Sequence, residues 1–166
     1  MEDGAKHWII YYQGRRTKHM EYAALFEPAK EGGYVITIPD FGWGFSQGDT
    51  EEEAREMAAA LLQTLVQEHI RKGEALPRPA KRRGRKYRFI SLPAIQSTKA
   101  ELYMAFLASG IRKAELARRL GIPKTTVDRL FNFENRTRLD QMEAAFAALG
   151  KRLSIEISDA ECKPAA

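Results

Sequence analysis

Residues 113–132 read KAELARRLGIPKTTVDRLFN, and this stretch decides the fold of the C-terminal half. Apolar side chains recur at helical spacing on both sides of a central glycine, which predicts two short helices joined by a tight turn. Gly121 can adopt the positive φ that ends the first helix, and Pro123 suits the first turn of the second. Ala117 is small where the two helices would cross. The apolar residues expected between the helices are Leu116, Leu120, Ile122, Val127 and Leu130.

The outward face of the second helix is polar and consists of Lys124, Thr125, Thr126, Asp128 and Arg129. Lysine, threonine and arginine side chains hydrogen-bond base edges or phosphates in a major groove. Arg112 and Lys113, at the start of the first helix, are placed for phosphate contacts. Asp128 can accept from cytosine or pair with Lys124 at helical spacing, and the pair is the preferred interpretation. The stretch therefore favours a DNA-binding helix-turn-helix over a helical hairpin in a small bundle, which needs only the glycine turn and apolar faces.

The region around this motif is helical in pattern from residue 94 to residue 150. Residues 152–157 alternate and predict a terminal strand. Because that strand has no obvious partner within its own module, we expect it to pair with a second copy and hold two recognition helices at half-site spacing. The C-terminal domain is then all-α apart from this dimerising strand and spans residues 94–158, with residues 159–166 as a tail.

The N-terminal half has the pattern of a small sheet with one long helix. Three short strands are predicted across residues 20–49, because β-branched and aromatic runs alternate with Gly and Pro turns. Thr50 and Glu53 form a capping box that begins a long helix, and Gly73 is suited to end it. Residues 87–92 alternate again and predict a fourth strand that returns to the sheet. The fold class is therefore α+β.

Charge is divided unevenly between the two halves. Residues 1–80 hold 9 Lys/Arg and 13 Asp/Glu, whereas residues 81–166 hold 18 Lys/Arg and 9 Asp/Glu. The division indicates two modules with different partners, the second suited to a polyanion or simply carrying a solvated basic surface. The basic run KRRGRK at residues 81–86 has the same two interpretations: a solvated loop, or phosphate contacts beside the helix-turn-helix.

The composition, 44% hydrophobic and 30% charged, is that of an ordinary soluble globular protein. No apolar run reaches the length of about eighteen residues that a transmembrane helix needs, and no secretion signal is evident. The single cysteine, Cys162, cannot form an internal disulfide. We therefore expect a cytoplasmic protein without membrane contact. Residues 1–19 are interpreted as an arm of unknown order, and Met20, where the first clear strand begins, is an alternative start.

Four aromatic residues cluster in the predicted sheet region: Tyr34, Phe41, Trp43 and Phe45. Some are expected to pack on the long helix as core. At least one, with Trp43 in its glycine-flanked loop as the first choice, is a candidate anchor for a protein partner. The acidic balance of this half would complement a basic partner electrostatically.

Short motifs in both halves are similar to known families. Residues 110–122, GIRKAELARRLGI, resemble the first two helices of the Xre/Cro-like repressor family. YAALFEP at residues 22–28, GYVITIPDF at residues 33–41 and FSQGDTEEEA at residues 45–54 resemble the HicB antitoxin family. The fourth predicted strand and the residues after it are similar to that family's C-terminal helix-turn-helix extension. The likeness spans roughly residues 20–157.

This sequence departs from the two families at three places. Lys113 stands where the repressor family often has Gln, and Phe133 where it often has Gly. Gly42-Trp43 replaces the Pro-Gly that is common in the HicB family. These departures concern the first helix of the motif, the segment after the recognition helix and the loop before the third strand.

The HicB resemblance implies two domains with separate partners. The domain at residues 20–93 would be a partial RNase H-like fold that binds and neutralises a small HicA-like ribonuclease toxin, with the four aromatic residues as candidate contacts. The domain at residues 94–158 would bind double-stranded operator DNA and repress the operon. Homodimers or higher oligomers are usual in the family. A free-standing transcriptional regulator with a ligand-sensing N-terminal domain is the alternative.

A metal-dependent nuclease is a further alternative, because RNase H-like enzymes use carboxylates that converge on divalent metal ions. The available acids are Asp40, Asp49 and the cluster at residues 51–53. The cluster is explained by helix capping, and aspartates are common at turns for local reasons. The histidines show no metal-ligand spacing, and no Ser/His/Asp or Cys/His arrangement occurs. We expect no catalytic residues, no metal site, no cofactor and no enzymatic activity.

Overall fold

The computed structural model describes residues 20–155, so the predicted arm at residues 1–19 and the tail at residues 159–166 lie outside the described part. Within it the chain forms a four-stranded antiparallel sheet and five α-helices, which confirms the α+β class. A 3-10 turn, Pro39–Phe41, lies between the second and third strands. In chain order the elements are β1 (Glu21–Pro28), β2 (Tyr34–Thr37), β3 (Phe45–Gly48), α1 (Glu51–Lys72), β4 (Tyr87–Ser91), α2 (Ala94–Ser109), α3 (Lys113–Leu120), α4 (Lys124–Phe131) and α5 (Leu139–Ala148).

The strands lie in the order β3-β2-β1-β4, so β1 and β2 are central and β3 and β4 form the edges. The predicted fourth strand returns after α1 and pairs with β1, where Ala23 lies opposite Phe89. β2 and β3 form a hairpin in which Thr37 lies opposite Phe45. Alternate residues point to opposite faces of a strand, so Phe45 and Phe89 lie on the same face of the sheet.

Helix α1 covers the other face of the sheet. Thr50 Oγ1 accepts from the N–H of Glu53 at 3.1 Å, which confirms the predicted cap. The Glu53 carboxylate accepts from the N–H of Asp49 at 2.9 Å, one residue further back than in the standard box. Each large side chain buried here contributes about 1.5–3 kcal/mol of transfer free energy. The buried residues of this layer include Tyr22, Ala24, Phe26, Ile36, Ala58, Leu62, Leu65 and Val66.

The buried core continues from this layer into the helices that follow. The hydroxyl of Tyr103, in α2, donates to the carbonyl of Glu74 at 2.9 Å. The N–H of Leu76 lies 3.3 Å from Sδ of Met104, also in α2. The segment after α1 is therefore attached along α2, and the sheet half packs directly against the helical half.

The predicted terminal strand is described only in part. Residues 152–155 are not in a strand, and residues 156–158 lie outside the described part. Leu153 packs against the core, whereas Ile155 is 63% exposed. A strand needs a neighbouring strand to hydrogen-bond its backbone, so the proposed pairing with a second copy stays a prediction. Between residues 20 and 155, no helix is long and apolar enough to cross a membrane.

Candidate functional site

Helices α3 and α4 are joined by the tight turn that the sequence predicts. Gly121 adopts φ 63° and its N–H bonds back to the carbonyls of Ala117 and Arg118, which ends α3. Pro123 immediately precedes α4. Leu116 and Val127 are completely buried on the inner faces of the two helices. Ala117 is also buried, as its small size predicts.

The outward face of α4 presents the residues expected to read bases. Lys124, Thr125 and Arg129 are exposed, and Thr126 is half-buried. Arg112 is exposed immediately before α3. Among residues 20–155, the cations Arg112, Lys124 and Arg129 form no ion pair with a carboxylate. Three positive groups with both hydrogen-bonding threonines therefore lie on or beside the same helix pair.

Asp128 pairs with Lys113, and the predicted pairing with Lys124 is wrong. Nζ of Lys113 lies 2.6 Å from Oδ1 of Asp128, so the pair joins the start of α3 to the outward face of α4. A basic residue four positions before an acidic one is the less favourable order in a helix, because both charges oppose the helix dipole. Lys113, which was expected to contact phosphate, is thereby held by a neighbouring carboxylate.

The other cations of α3 are also engaged. Glu115 accepts from Arg118 at 2.8 and 2.9 Å and from Arg119 at 2.9 Å. These hydrogen bonds, that from Arg118 first, lower the pKa of Glu115 to about 2. Arg119 also donates to the carbonyl of Ala148 at 3.0 Å and so ties α3 to the end of α5. All three cations of α3 are therefore paired with carboxylates.

A buried lysine holds the end of α4, and the sequence reasoning missed it. Lys99, in α2, is completely buried, and burial lowers its pKa. Its Nζ donates to the carbonyls of Asn132 at 2.5 Å and Asn135 at 2.6 Å. Oε1 of Gln67, in α1, accepts from the N–H of Phe133 at 2.6 Å. A signal existed: residue 99 is in helical phase with the apolar positions Leu102, Tyr103 and Phe106.

Two of the four predicted partner aromatics are exposed. Trp43 is 46% exposed in a loop where Gly42 and Gly44 both have positive φ. Nζ of Lys72 lies 5.3 Å from the centroid of its ring, within cation–π distance. Phe45 is 73% exposed on the edge strand β3. Both residues offer large exposed apolar area, Trp43 beside the end of α1 and Phe45 on the edge strand.

The other two aromatics have different surroundings. Phe41 is buried, with its ring centroid 5.0 Å from that of Tyr22 and 5.2 Å from that of His69. The 3-10 turn directs it into the core, as expected for some of the four aromatics, and its role as a partner contact stays an untested prediction. Tyr34 is half-buried, with its ring 6.0 Å from that of Phe26. It contributes to packing and retains some accessible surface.

The acidic residues considered for a nuclease do not form a metal-binding cluster within residues 20–155. The Asp40 side chain is 4% exposed and accepts from Arg82 at 2.9 Å and from the N–H of Ala80 at 3.1 Å. Glu51 accepts from Arg55 at 2.9 Å and from Arg88 at 2.8 Å. In the described range 20–155, no group of three or more His, Cys, Asp and Glu side chains is placed to hold a metal ion.

In the basic loop at residues 81–86, only Arg82 forms an ion pair with another residue of the range 20–155. Arg82 is held by Asp40, as described above, and its guanidinium lies 6.0 Å from the ring of Tyr87. The remaining cations of the run, Lys81, Arg83, Arg85 and Lys86, are exposed. Both interpretations of this loop, solvated surface or phosphate contact, remain compatible with that placement.

Comparison with known proteins identifies the family. The family model for a HicB-like antitoxin of bacterial toxin–antitoxin systems matches residues 21–101. Antitoxin HicB of Escherichia coli strain K12 is 38% identical over 136 residues, which are 82% of this chain and 98% of that protein. Antitoxin HicB 1 of Photorhabdus laumondii is 35% identical over 140 residues, 84% of this chain and 88% of that protein. Antitoxin HicB of Pseudomonas fluorescens strain Pf0-1 is 33% identical over 146 residues, 85% of this chain and all of that protein.

These matches confirm the HicB resemblance drawn from the motifs between residues 22 and 54. They extend beyond the sheet, since the aligned part of the chain exceeds four-fifths of its length. The chain therefore belongs to the HicB-like family of antitoxins of bacterial toxin–antitoxin systems.

Proposed function

We propose that this protein neutralises a HicA-like ribonuclease toxin with its N-terminal half and represses its own operon with its C-terminal half. The observation that carries the DNA-binding part is the polar outward face of α4, held on an apolar inner face across the glycine turn. In this proposal α3 and α4 are a helix-turn-helix, and the sheet with α1 is a partial RNase H-like fold that serves as a binding scaffold. The protein acts in the cytoplasm, where both of its ligands occur.

The DNA-binding roles follow from exposure and charge. Lys124, Thr125, Thr126 and Arg129 enter the major groove, since α4 is the helix that presents unpaired polar groups outward. Arg112 contacts a phosphate beside the groove. Lys113 acts indirectly, because its ammonium is neutralised by Asp128 and fixes the two helices relative to each other.

Toxin neutralisation is stoichiometric in this proposal. Trp43 and Phe45 are exposed aromatics close together in sequence and supply the apolar anchors typical of protein interfaces. The net negative charge of residues 1–80 favours fast association with a basic, RNA-cutting partner. The protein itself is not an enzyme. The burial of Asp40 against Arg82 supports this, since one of the acids considered for a nuclease site is already held in an ion pair.

Two recognition helices must be held at a fixed spacing to read a two-fold operator, so we propose a homodimer or higher oligomer. The residues after α5 are the candidate interface. Sedimentation of the full chain and of a variant ending at residue 151 tests this. A dimer that becomes a monomer on truncation supports the proposal, whereas an unchanged dimer places the interface elsewhere.

The function is tested by co-expression with the small protein encoded beside this chain. Growth arrest by that protein alone, relieved by this chain, is the expected result, with complex formation in a pull-down. A second arm measures binding of the purified chain to a duplex taken from upstream of its reading frame. A chain that binds this duplex but neither captures nor neutralises the neighbouring protein would support the free-standing regulator instead.

A further inference from the structure

We infer that Gln67 and Lys99 are positioning residues for DNA binding: they hold the turn after α4, residues 132–135, and so fix the direction in which α4 presents its outward face. This inference rests on the proposed function of α4 as the recognition helix. It assigns a role to a buried cation, which cannot contact DNA, and to a half-buried side chain of the sheet-covering helix.

The end of α4 needs outside donors. Helices α2 and α3 end at glycines whose N–H groups return to the helix carbonyls. α4 instead ends at Asn132 in an extended conformation, with φ −82° and ψ 125°. The last carbonyls of a helix have no partner within the helix. Nζ of Lys99 donates to the carbonyl of Asn132, which also accepts from the N–H of Asn135 at 3.3 Å, and to the carbonyl of Asn135. The ammonium therefore joins both ends of this turn.

Lys99 also places its ammonium at the C-terminal end of α4, where the helix dipole favours positive charge. Phe131, the last residue of α4, packs between Tyr103 and Phe106 of α2, with ring centroids 5.6 and 5.3 Å away. The same helix, α2, therefore holds the end of α4 by packing and by charge. An eight-residue helix has little stability of its own, so these attachments set its orientation.

Gln67 adds a second attachment, from a different part of the fold. It lies in α1, which packs on the sheet, and its side-chain oxygen accepts from the N–H of Phe133. Gln67 and Phe133 are 66 residues apart in the sequence. The hydrogen bond thus couples the sheet half to the turn that follows α4. It does so at Phe133, where the Xre/Cro-like repressor family often has Gly.

Lys99 cannot act by touching nucleic acid. Lys99 is completely buried, so any effect of its substitution on operator binding must be transmitted through the turn. Base contacts need alignment of the whole helix, whereas binding to arbitrary duplex depends mainly on phosphate charge. A change in the orientation of α4 should therefore reduce specific binding more than non-specific binding.

The test uses full-length Gln67→Met and Gln67→Glu proteins, with Lys99→Met as a second site. Methionine removes the acceptor at similar length, and glutamate keeps an oxygen acceptor at the same place. Each protein is titrated with the upstream duplex and with a scrambled duplex of equal length. Thermal unfolding and binding of the neighbouring toxin report the folded fraction.

We expect Gln67→Met to lower the ratio of specific to non-specific affinity about three- to tenfold, and Gln67→Glu to restore it. Lys99→Met should lower the ratio at least as much, with toxin binding retained. Equal losses on both duplexes, matching a loss of folded protein, would overturn the positioning role, as would an unchanged ratio in Gln67→Met. Wild-type protein that fails to bind the upstream duplex would overturn the proposed function, and this inference with it.

Discussion

Lys113 and Asp128 form an ion pair with Nζ 2.6 Å from Oδ1, and the two side chains are 40% and 50% exposed. The pair crosses from the first residue of α3 to the outward face of α4. It places a carboxylate among the cations that would face DNA, and it pairs that carboxylate with a lysine of the neighbouring helix. We therefore expect this face to have a lower affinity for phosphate than its count of basic residues implies.

Removing this carboxylate should strengthen non-specific DNA binding. Asp128→Asn frees Lys113 and removes one negative charge, so the slope of log affinity against log salt should become steeper by about one. Titration of a scrambled duplex at several salt concentrations measures this. The double variant Lys113→Met/Asp128→Asn is the control and should recover the wild-type slope. An unchanged slope in Asp128→Asn would show that Lys113 does not reach the backbone of DNA.

Arg129 should be required for operator recognition. Arg129→Ala removes an exposed, unpaired cation from the outward face of α4, and a base contact of this type is worth about 1–3 kcal/mol. We expect a loss of operator affinity of about five- to a hundredfold, with a smaller loss on scrambled duplex. Arg118→Ala, which removes an arginine already paired with Glu115, is the matched control. Equal losses in the two variants would indicate a purely electrostatic role.

Trp43 and Phe45 should dominate toxin binding. Substitution of either by alanine removes an exposed aromatic surface, and interface anchors of this type contribute about 2 kcal/mol or more. Calorimetric titration with the toxin should therefore show at least a thirtyfold weaker Kd for the double variant. Its melting temperature and operator binding should be unchanged. Phe89→Ala, on the other edge strand, tests whether the contact extends across the open face of the sheet.

Phe41 should matter for stability. Its ring is buried between Tyr22 and His69, and truncation of a buried phenylalanine costs about 3–5 kcal/mol. Urea unfolding of Phe41→Ala should show this loss, whereas Phe45→Ala should unfold like the wild type. If Phe41→Ala had normal stability but no longer bound the toxin, Phe41 would be a toxin contact and not a core residue.

The ion pairs of Glu51 predict a dependence of stability on pH. Hydrogen bonds from Arg88 and then from Arg55 lower the pKa of Glu51 from 4.5 to about 2. Because the folded-state pKa lies below the unfolded value, the stabilisation is present above about pH 4.5 and is lost as the pH falls towards 2. The difference in unfolding free energy between wild type and Glu51→Gln should shrink over that range. Glu52→Gln, an exposed neighbour, provides the comparison, and a constant difference for Glu51→Gln would contradict the pairing.

Local features of the fold were predictable because they depend on neighbouring residues. Thr50 and Glu53 cap α1 within one helical turn, and Gly121 ends α3 through its own backbone freedom. The alternation of residues 87–92 predicts a strand that returns to the sheet, but its antiparallel pairing with β1 was not predictable from the intervening helix. The predicted strand at residues 152–157 depends instead on pairing with a second copy, which its own sequence cannot supply, and its described residues 152–155 are not in a strand.

The candidate site was predicted only in outline. The sequence by itself determined that α3 and α4 form and that α4 has one polar and one apolar face, since helical periodicity sets both. It did not determine that Asp128 pairs with Lys113 or that Phe41 is buried. Nor did it reveal the attachment of Lys99 and Gln67 to the turn after α4. These contacts join residues 15 to 66 positions apart. Only the tertiary structure brings such groups within hydrogen-bonding distance, because burial and ion pairing depend on distance in space and not on separation along the chain.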